Sequence, residues 1–345
     1  MELKEFLRPE ADNSLGLHWR AGGPMLSNLE ADLAFAKDIG VKWVLLCGTV
    51  NPTGPLSPAE KVGWRLKEEG IMVVFRPYCL INSFVNFENV AKRVVPITPW
   101  IQIFNEPENS REWREDGYVE DTKEYFSHRW IREAHRVVNI GGYPGLQCGL
   151  DQLDHILPLL KEPGNARIVE RMWFCPHLYP ISRPPWIWED ERCALGFVDF
   201  AQAFHYWLGV VPPMIVGEGG WSDGETKYDS ILMASWYSWW FKGFHFGGWG
   251  SSQIDLKLPD YLFAICPWLL AGEPGFGWRN NYVYYDTIAW MKANHDYVRK
   301  FSWDGPQPEP LDSKVVSEWM TQEEAKETAE KASGMFPFYF GVEER

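Results

Sequence analysis

Short apolar runs alternate along this chain with amphipathic stretches, and Gly, Pro or a capping residue marks most of the changes. The pattern predicts a first strand over Ser14–Trp19. Ser27 then caps a helix, Glu30 three residues later completes a capping box, and Gly40 stops it. Lys42–Cys47 (KWVLLC) reads as a buried strand. Ser57-Pro58-Ala59-Glu60 opens the next helix with proline at its first position, and Gly70 closes it. Ile71–Pro77 is strand three, Asn86–Val94 a short helix, and Trp100–Asn105 (WIQIFN) strand four. Asp121–Ile140 is a long helix, ended by Gly141-Gly142. Leu146–Leu150 is a weaker strand five, followed by a helix over Asp151–Lys161. Arg171–His177 is strand six, Cys193–Leu208 an amphipathic helix, and Met214–Gly217 strand seven. A Trp-rich helix over Tyr228–Phe241 comes next. Leu262–Leu270 is placed as strand eight, with Phe244–Trp249 as its competitor, and Tyr284–Val298 closes the series.

Eight strands in alternation with helices predict an α/β fold, a (β/α)8 barrel. An open doubly wound sheet is the competitor. Its Gly-rich fingerprint is missing, because strand one runs into His18-Trp19-Arg20-Ala21-Gly22-Gly23-Pro24. Residues 1–301 form the expected barrel. Residues 302–345 form a C-terminal extension, with a charged helix over Thr321–Ser333 and an apolar tail at Met335–Phe340.

A length of 345 residues suits one such barrel. The net charge of −14 argues against a nucleic-acid partner and against strongly anionic polymers. No run of 18 apolar residues appears, so no membrane-spanning helix is expected. The first ten residues lack a signal-peptide core, which implies a cytoplasmic protein or a processed secreted form. The six cysteines show no metal-ligand spacing and read as buried free thiols, so neither metal nor cofactor is expected. Oligomeric state is left open. Twenty tryptophans is the unusual number: some build the core, and others stand in Gly/Pro-rich loops, where rigid rings can stack on sugar faces.

In barrels of this kind, reactive groups sit just past the carboxyl ends of strands. Strand one ends in His18 and Trp19, strand three near Arg76 and Tyr78, and strand four in Asn105-Glu106-Pro107-Glu108. Strand six ends in His177 and Tyr179, strand seven in Glu218-Gly219-Gly220-Trp221, and strand eight carries Trp268. Two glutamates, Glu106 and Glu218, directly follow apolar strands on opposite sides of the mouth. Cleavage of a glycoside uses such a pair: one carboxyl protonates the leaving oxygen and the other attacks the anomeric carbon. Glu108 is the alternative second acid and, past Pro107, is expected to lean outward.

Phe104-Asn105-Glu106-Pro107 resembles the Asn-Glu-Pro segment of clan A glycoside hydrolases, and Ile215-Val216-Gly217-Glu218-Gly219-Gly220-Trp221 resembles their strand-seven segment. The spacing of 112 positions from one glutamate to the other fits three intervening units, and His177-x-Tyr179 is similar to the clan's polar pair beside the nucleophile. The resemblance implies a retaining enzyme that cleaves β-linked oligo- or polysaccharide by double displacement. Glu106 would be the acid/base, its pKa raised by burial and by Glu218, and Glu218 the nucleophile. Asn105 would hold the sugar 2-hydroxyl, Tyr179 the Glu218 carboxylate, and Trp268 would form the sugar platform. His177 would line the subsite. The clan's usual arginine after strand two is absent, since Cys47-Gly48-Thr49 stands there, and Arg76 is the substitute. The His-Asn pair common after strand three is also absent.

Trp19, Trp221 and Trp249 are candidate sugar contacts or core residues, and His18 is a candidate site residue or a structural one. A non-catalytic carbohydrate-binding barrel is the second reading. A metal-dependent hydrolase is the third; it calls for His-x-His on strand one, where His18 stands alone.

Overall fold

The computed structural model describes residues 1–20, 28–114, 122–179, 190–194, 196–219, 244–246, 254–256, 259–268, 285–293, 295–296, 298–301 and 303. Four apolar segments open the fold: β1 (Gly16–Arg20), β2 (Trp43–Gly48), β3 (Met72–Pro77) and β4 (Trp100–Ile103). β2 and β4 are buried along their whole lengths, as parallel strands covered on both faces must be. Between these strands lie α1 (Leu29–Asp38), α2 (Pro58–Glu68) and α3 (Phe87–Val94). The Ser57 capping box forms as expected, with Ser57 and Glu60 each accepting the other's backbone N–H. At α1 the cap is Asn28, with no side-chain cap bond, and Ser27 lies outside the described residues. Gly40 and Gly70 both take positive φ where their helices stop, the conformation glycine adopts without steric cost.

The series continues with α4 (Thr122–Asn139), β5 (Tyr143–Leu146), α5 (Leu150–Leu160), α6 (Ala166–Arg171) and β6 (Trp173–Phe174). After β7 (His177–Leu178) come α7 (Phe197–Leu208), β8 (Met214–Val216) and β9 (Glu218–Gly219). The last elements are β10 (Phe244–Phe246), β11 (Ile254–Leu256), β12 (Leu262–Ile265) and α8 (Tyr285–Ala293). Strand five thus falls earlier than the expected Leu146–Leu150. Its sequence YPGL reads as a turn, but Gly145 is required there because a Cβ would strike the Trp173 ring. Strand eight is Leu262–Ile265. Its competitor forms half of an antiparallel hairpin, β10 with β11.

Eight parallel strands form a nearly closed barrel in the order β1-β2-β3-β4-β5-β6-β8-β12. Leu15 bridges Ile265, and His18 N–H donates to Pro267 O at 3.0 Å, so the first and last strands meet. Strand alternation divides the side chains between two faces. His18, Cys47, Arg76 and Gln102 share the barrel interior, while Trp19, Leu46, Phe75 and Ile101 face the helices. The floor of the barrel is aromatic. Trp100 packs against Trp43, Phe6, Tyr143 and Trp173, with ring centroids between 5.0 and 5.8 Å apart. Part of the tryptophan surplus therefore belongs to the core: Trp19, Trp43, Trp100, Trp130 and Trp173 are all fully buried. All six cysteines are free, five of them buried. No helix among the described residues is long and apolar enough to cross a membrane. The extension beyond Trp303 lies outside the described residues.

Candidate active site

Strand four ends earlier than its sequence suggests, at Ile103, because Phe104 turns into the left-handed region at φ +61. A non-glycine residue there is strained and persists only where its surroundings hold it. The Phe104 ring is held against Phe87 at 5.3 Å, and its carbonyl accepts from Gln102 Nε2 at 3.0 Å. Glu106 has positive φ as well (+33), and its N–H donates to Gln147 Oε1. The two turns present Asn105 and Glu106 at the mouth instead of along the sheet.

Glu218 arrives from the other side. Beyond the barrel ladder, β9 pairs in parallel with β7, and the register sets His177 opposite Glu218. Gly217 makes this approach possible, since a Cβ there would strike Cys175 Sγ and come within 2.7 Å of Leu45 Cδ1. One side-chain oxygen of Glu106, one of Glu218 and one ring nitrogen of His177 all lie within 4.8 Å of one another.

The two carboxyl groups have different neighbours. Glu218 is buried; its Oε1 accepts from Arg76 Nη1, and its Oε2 accepts from the Tyr179 hydroxyl at 2.6 Å. Burial alone would raise its pKa. The charges of His177 and Arg76, with the Tyr179 hydrogen bond, outweigh burial and hold Glu218 well below the usual carboxylate range. Glu106 is about one-third exposed, and its Oε1 lies 3.0 Å from His177 Nδ1 while its Oε2 accepts from Asn109 Nδ2 at 3.1 Å. The resemblance to clan A implies a raised pKa for Glu106. The His177 hydrogen bond instead lowers it, against burial and the Glu218 charge.

His18 and His177 differ in the same way. His18 is fully buried; burial first, then the Arg76 charge, push it well below its ordinary pKa. A neutral ring fits its partners: Nδ1–H donates to Gly217 O at 3.1 Å and Nε2 faces Arg76 Nη2 at 3.5 Å. His177 moves upward to about 10, because the Glu218 charge and the Glu106 hydrogen bond overcome burial. Cys47 and Arg76 are register partners on β2 and β3, and the cysteine stands beside the guanidinium that reaches Glu218.

Of the residues singled out in the sequence, Asn105, Glu106, Glu218, His177, Tyr179, Arg76 and His18 are thus brought together. Trp268 joins them, edge-on to His18 at 4.4 Å, with its backbone N–H on Gly219 O. Trp19 is not at the mouth: next to His18 on the strand, it points to the opposite face and is buried in the core. Trp221 and Trp249 lie outside the described residues. Glu108 is exposed, and it borders the mouth. Together with Glu106, Gln147, His177, Tyr179 and Arg192 it lines a cavity of about 400 Å³, and its Oε1 accepts from Gly149 N–H at 2.6 Å. Sequence reasoning missed Gln102, Asn109, Glu112 and Gln147: the two glutamines stand inside runs read as strands, and Asn109 and Glu112 in the loop after strand four.

No protein-family model and no curated protein matches the chain. Solved structures do. The GH1 β-glucosidase from Exiguobacterium antarcticum B7 matches at a TM-score of 0.51 and 12% identity, over 83% of this chain and 98% of that one. The virulence factor SghA, solved with its substrate analogue salicin, matches at 0.50 and 12%, over 81% and 96%. A sugar phosphate isomerase/epimerase from Parabacteroides distasonis ATCC 8503 matches at 0.42 and 9%, over 83% and 96%. At such identities the likeness shows the fold, a (β/α)8 barrel whose structural neighbours include glycoside hydrolases.

Proposed function

We propose that this chain is a retaining glycoside hydrolase that cleaves β-linked oligo- or polysaccharide with Glu218 as nucleophile and Glu106 as acid/base. One observation carries the reading: two carboxyl groups from opposite sides of the barrel mouth bring oxygens within 4.8 Å of each other, in contrasting surroundings. Retaining glycosidases hold their carboxyl groups about 5–5.5 Å apart, whereas inverting ones leave room for a water between them.

In the first step a Glu218 oxygen bonds to the anomeric carbon while the bond to the leaving oxygen breaks and that oxygen takes a proton from Glu106. In the second, Glu106 removes a proton from water, whose oxygen displaces Glu218 from that carbon. Arg76 and Tyr179 keep Glu218 ionised and aimed. His177 shares a proton with Glu106; as Glu218 spends its charge on the new bond, the imidazole loses its reason to hold that proton. Asn105 takes the sugar 2-hydroxyl and Trp268 the sugar face. The cavity beside Glu106 receives the leaving group.

The test is a panel of β-linked oligosaccharides, followed by a 2-fluoro glycoside of the best sugar. Retained anomeric configuration and a covalent label on Glu218 are expected; inversion or a label elsewhere defeats the assignment. A chain that binds glycans and hydrolyses none is a carbohydrate-binding barrel instead.

A metal-dependent reaction is the second reading, favoured by the same Glu106, His177 and Glu218 atoms, which are close enough to hold an ion. The Arg76 guanidinium already occupies Glu218, and a divalent cation there would face that charge. Activity undiminished by a chelator decides for the proton-based mechanism.

A further inference from the structure

We infer that Glu112 is a positioning residue, which fixes the edge of the Asn105 amide that faces the barrel mouth. An amide side chain has an accepting end and a donating end, and only its partners decide which is which. The accepting end of Asn105 is doubly held: Oδ1 receives Arg76 Nη1 at 3.0 Å and Gln102 Nε2 at 3.2 Å. The donating end has one partner among the described residues, Glu112 Oε1, at 3.0 Å from Nδ2. One Nδ2–H is thereby used, and the second is left for a ligand acceptor.

Glu112 is built to stay in place. It ends the one-turn helix Ser110–Glu112, which Asn109 caps by accepting Arg111 N–H at 3.1 Å. Its carbonyl accepts Ile81 N–H at 2.9 Å, tying this turn to the loop after β3. Asn109, in the same turn, also donates to Glu106. The segment after strand four therefore folds back to hold both Asn105 and Glu106. Glu112 forms no ion pair among the described residues, and burial pushes its carboxyl up. A half-buried carboxylate whose only side-chain hydrogen bond among the described residues is to an amide is costly to keep. Its contribution is the direction it gives Asn105.

The inference rests on the glycosidase reading for its ligand, the sugar 2-hydroxyl, an interaction that strengthens in the transition state. Glu112→Ala and Glu112→Gln are compared with the native chain on 2,4-dinitrophenyl β-D-glucopyranoside and on its 2-deoxy analogue. Glu112→Ala is expected to lower kcat on the 2-hydroxy substrate about tenfold with KM nearly unchanged, and to alter the 2-deoxy substrate less than about twofold. Glu112→Gln, whose amide oxygen accepts the same N–H, is expected to stay within about threefold of native. A crystal structure of Glu112→Ala should show the Asn105 amide pivoted about Oδ1, which Arg76 and Gln102 still hold, with Nδ2 moved from its native place. Equal loss on both substrates, or an unmoved Asn105, overturns the inference. Should the native chain cleave neither glucoside, the oligosaccharide panel tells a wrong sugar from a failed glycosidase reading, and the position of Asn105 in that crystal structure still decides the role of Glu112.

Discussion

His177 Nδ1 lies 3.0 Å from Glu106 Oε1, close enough that the two groups hold one proton between them. The same nitrogen is 3.8 Å from Glu218 Oε2. Burial disfavours the imidazolium, but the Glu218 charge and the Glu106 hydrogen bond push His177 up to about 10. Glu106 moves the opposite way, because the His177 bond favours its ionised form. The shared proton is thus present below about pH 10 and lost as pH rises through that value. In His177→Asn the proton has to reside on Glu106 itself, which then titrates as a carboxyl. The basic limb of kcat/KM is expected to move down by several pH units in that variant. An unmoved limb in a pH–rate profile refutes proton sharing.

Glu218→Ala should abolish turnover, because no other described carboxylate combines the Arg76 and Tyr179 contacts with this position. The cavity left by the side chain admits a small anion. Added azide or formate should then restore part of the rate by replacing the missing nucleophile, with a glycosyl azide as product in the first case. Full activity in the unassisted variant contradicts the assignment.

Acid assistance matters in proportion to the basicity of the leaving oxygen. Glu106→Ala should therefore slow substrates with poor leaving groups by about 100-fold or more, and activated dinitrophenyl glycosides far less. Glu108 and Glu106 line one cavity, so the same measurement on Glu108→Ala separates their roles. A leaving-group dependence that follows Glu108 transfers the acid function to it.

Much of this site was legible in order along the chain. Glu106 and Glu218 stand directly after apolar strands, and strand ends are where barrel chemistry lies. The capping box at Ser57 was legible too, since it depends on four adjacent residues. What failed depends on distant partners. Strand five was misplaced because Pro144 and Gly145 read as a turn, while Gly145 answers to the Trp173 ring from the next strand. The left-handed Phe104 leaves no mark in WIQIFN; its support comes from Phe87 and Gln102. The sign of the Glu106 shift was reversed because its deciding contact comes from His177, 71 residues further along the chain. Trp19 shows the converse. Its burial follows from strand alternation beside His18, but only once His18 is known to face inward.

Gly217 is where the nucleophile's position meets the packing of the barrel. Its backbone touches Cys175 and Leu45 inside the barrel, and its carbonyl orients His18. A methyl group at this position has no free space, and interior crowding of that kind typically costs about 1–3 kcal/mol. Gly217→Ala should lower the urea midpoint accordingly, which chemical denaturation measures. It should also lower kcat, because relief of the clash moves the residue next to it, Glu218, relative to Arg76 and Tyr179. Cys175→Ala removes the atom struck hardest, so the double variant Gly217→Ala/Cys175→Ala should recover part of both losses. Purely additive losses in the double variant would show that the contact between Gly217 and Cys175 does not set the position of Glu218.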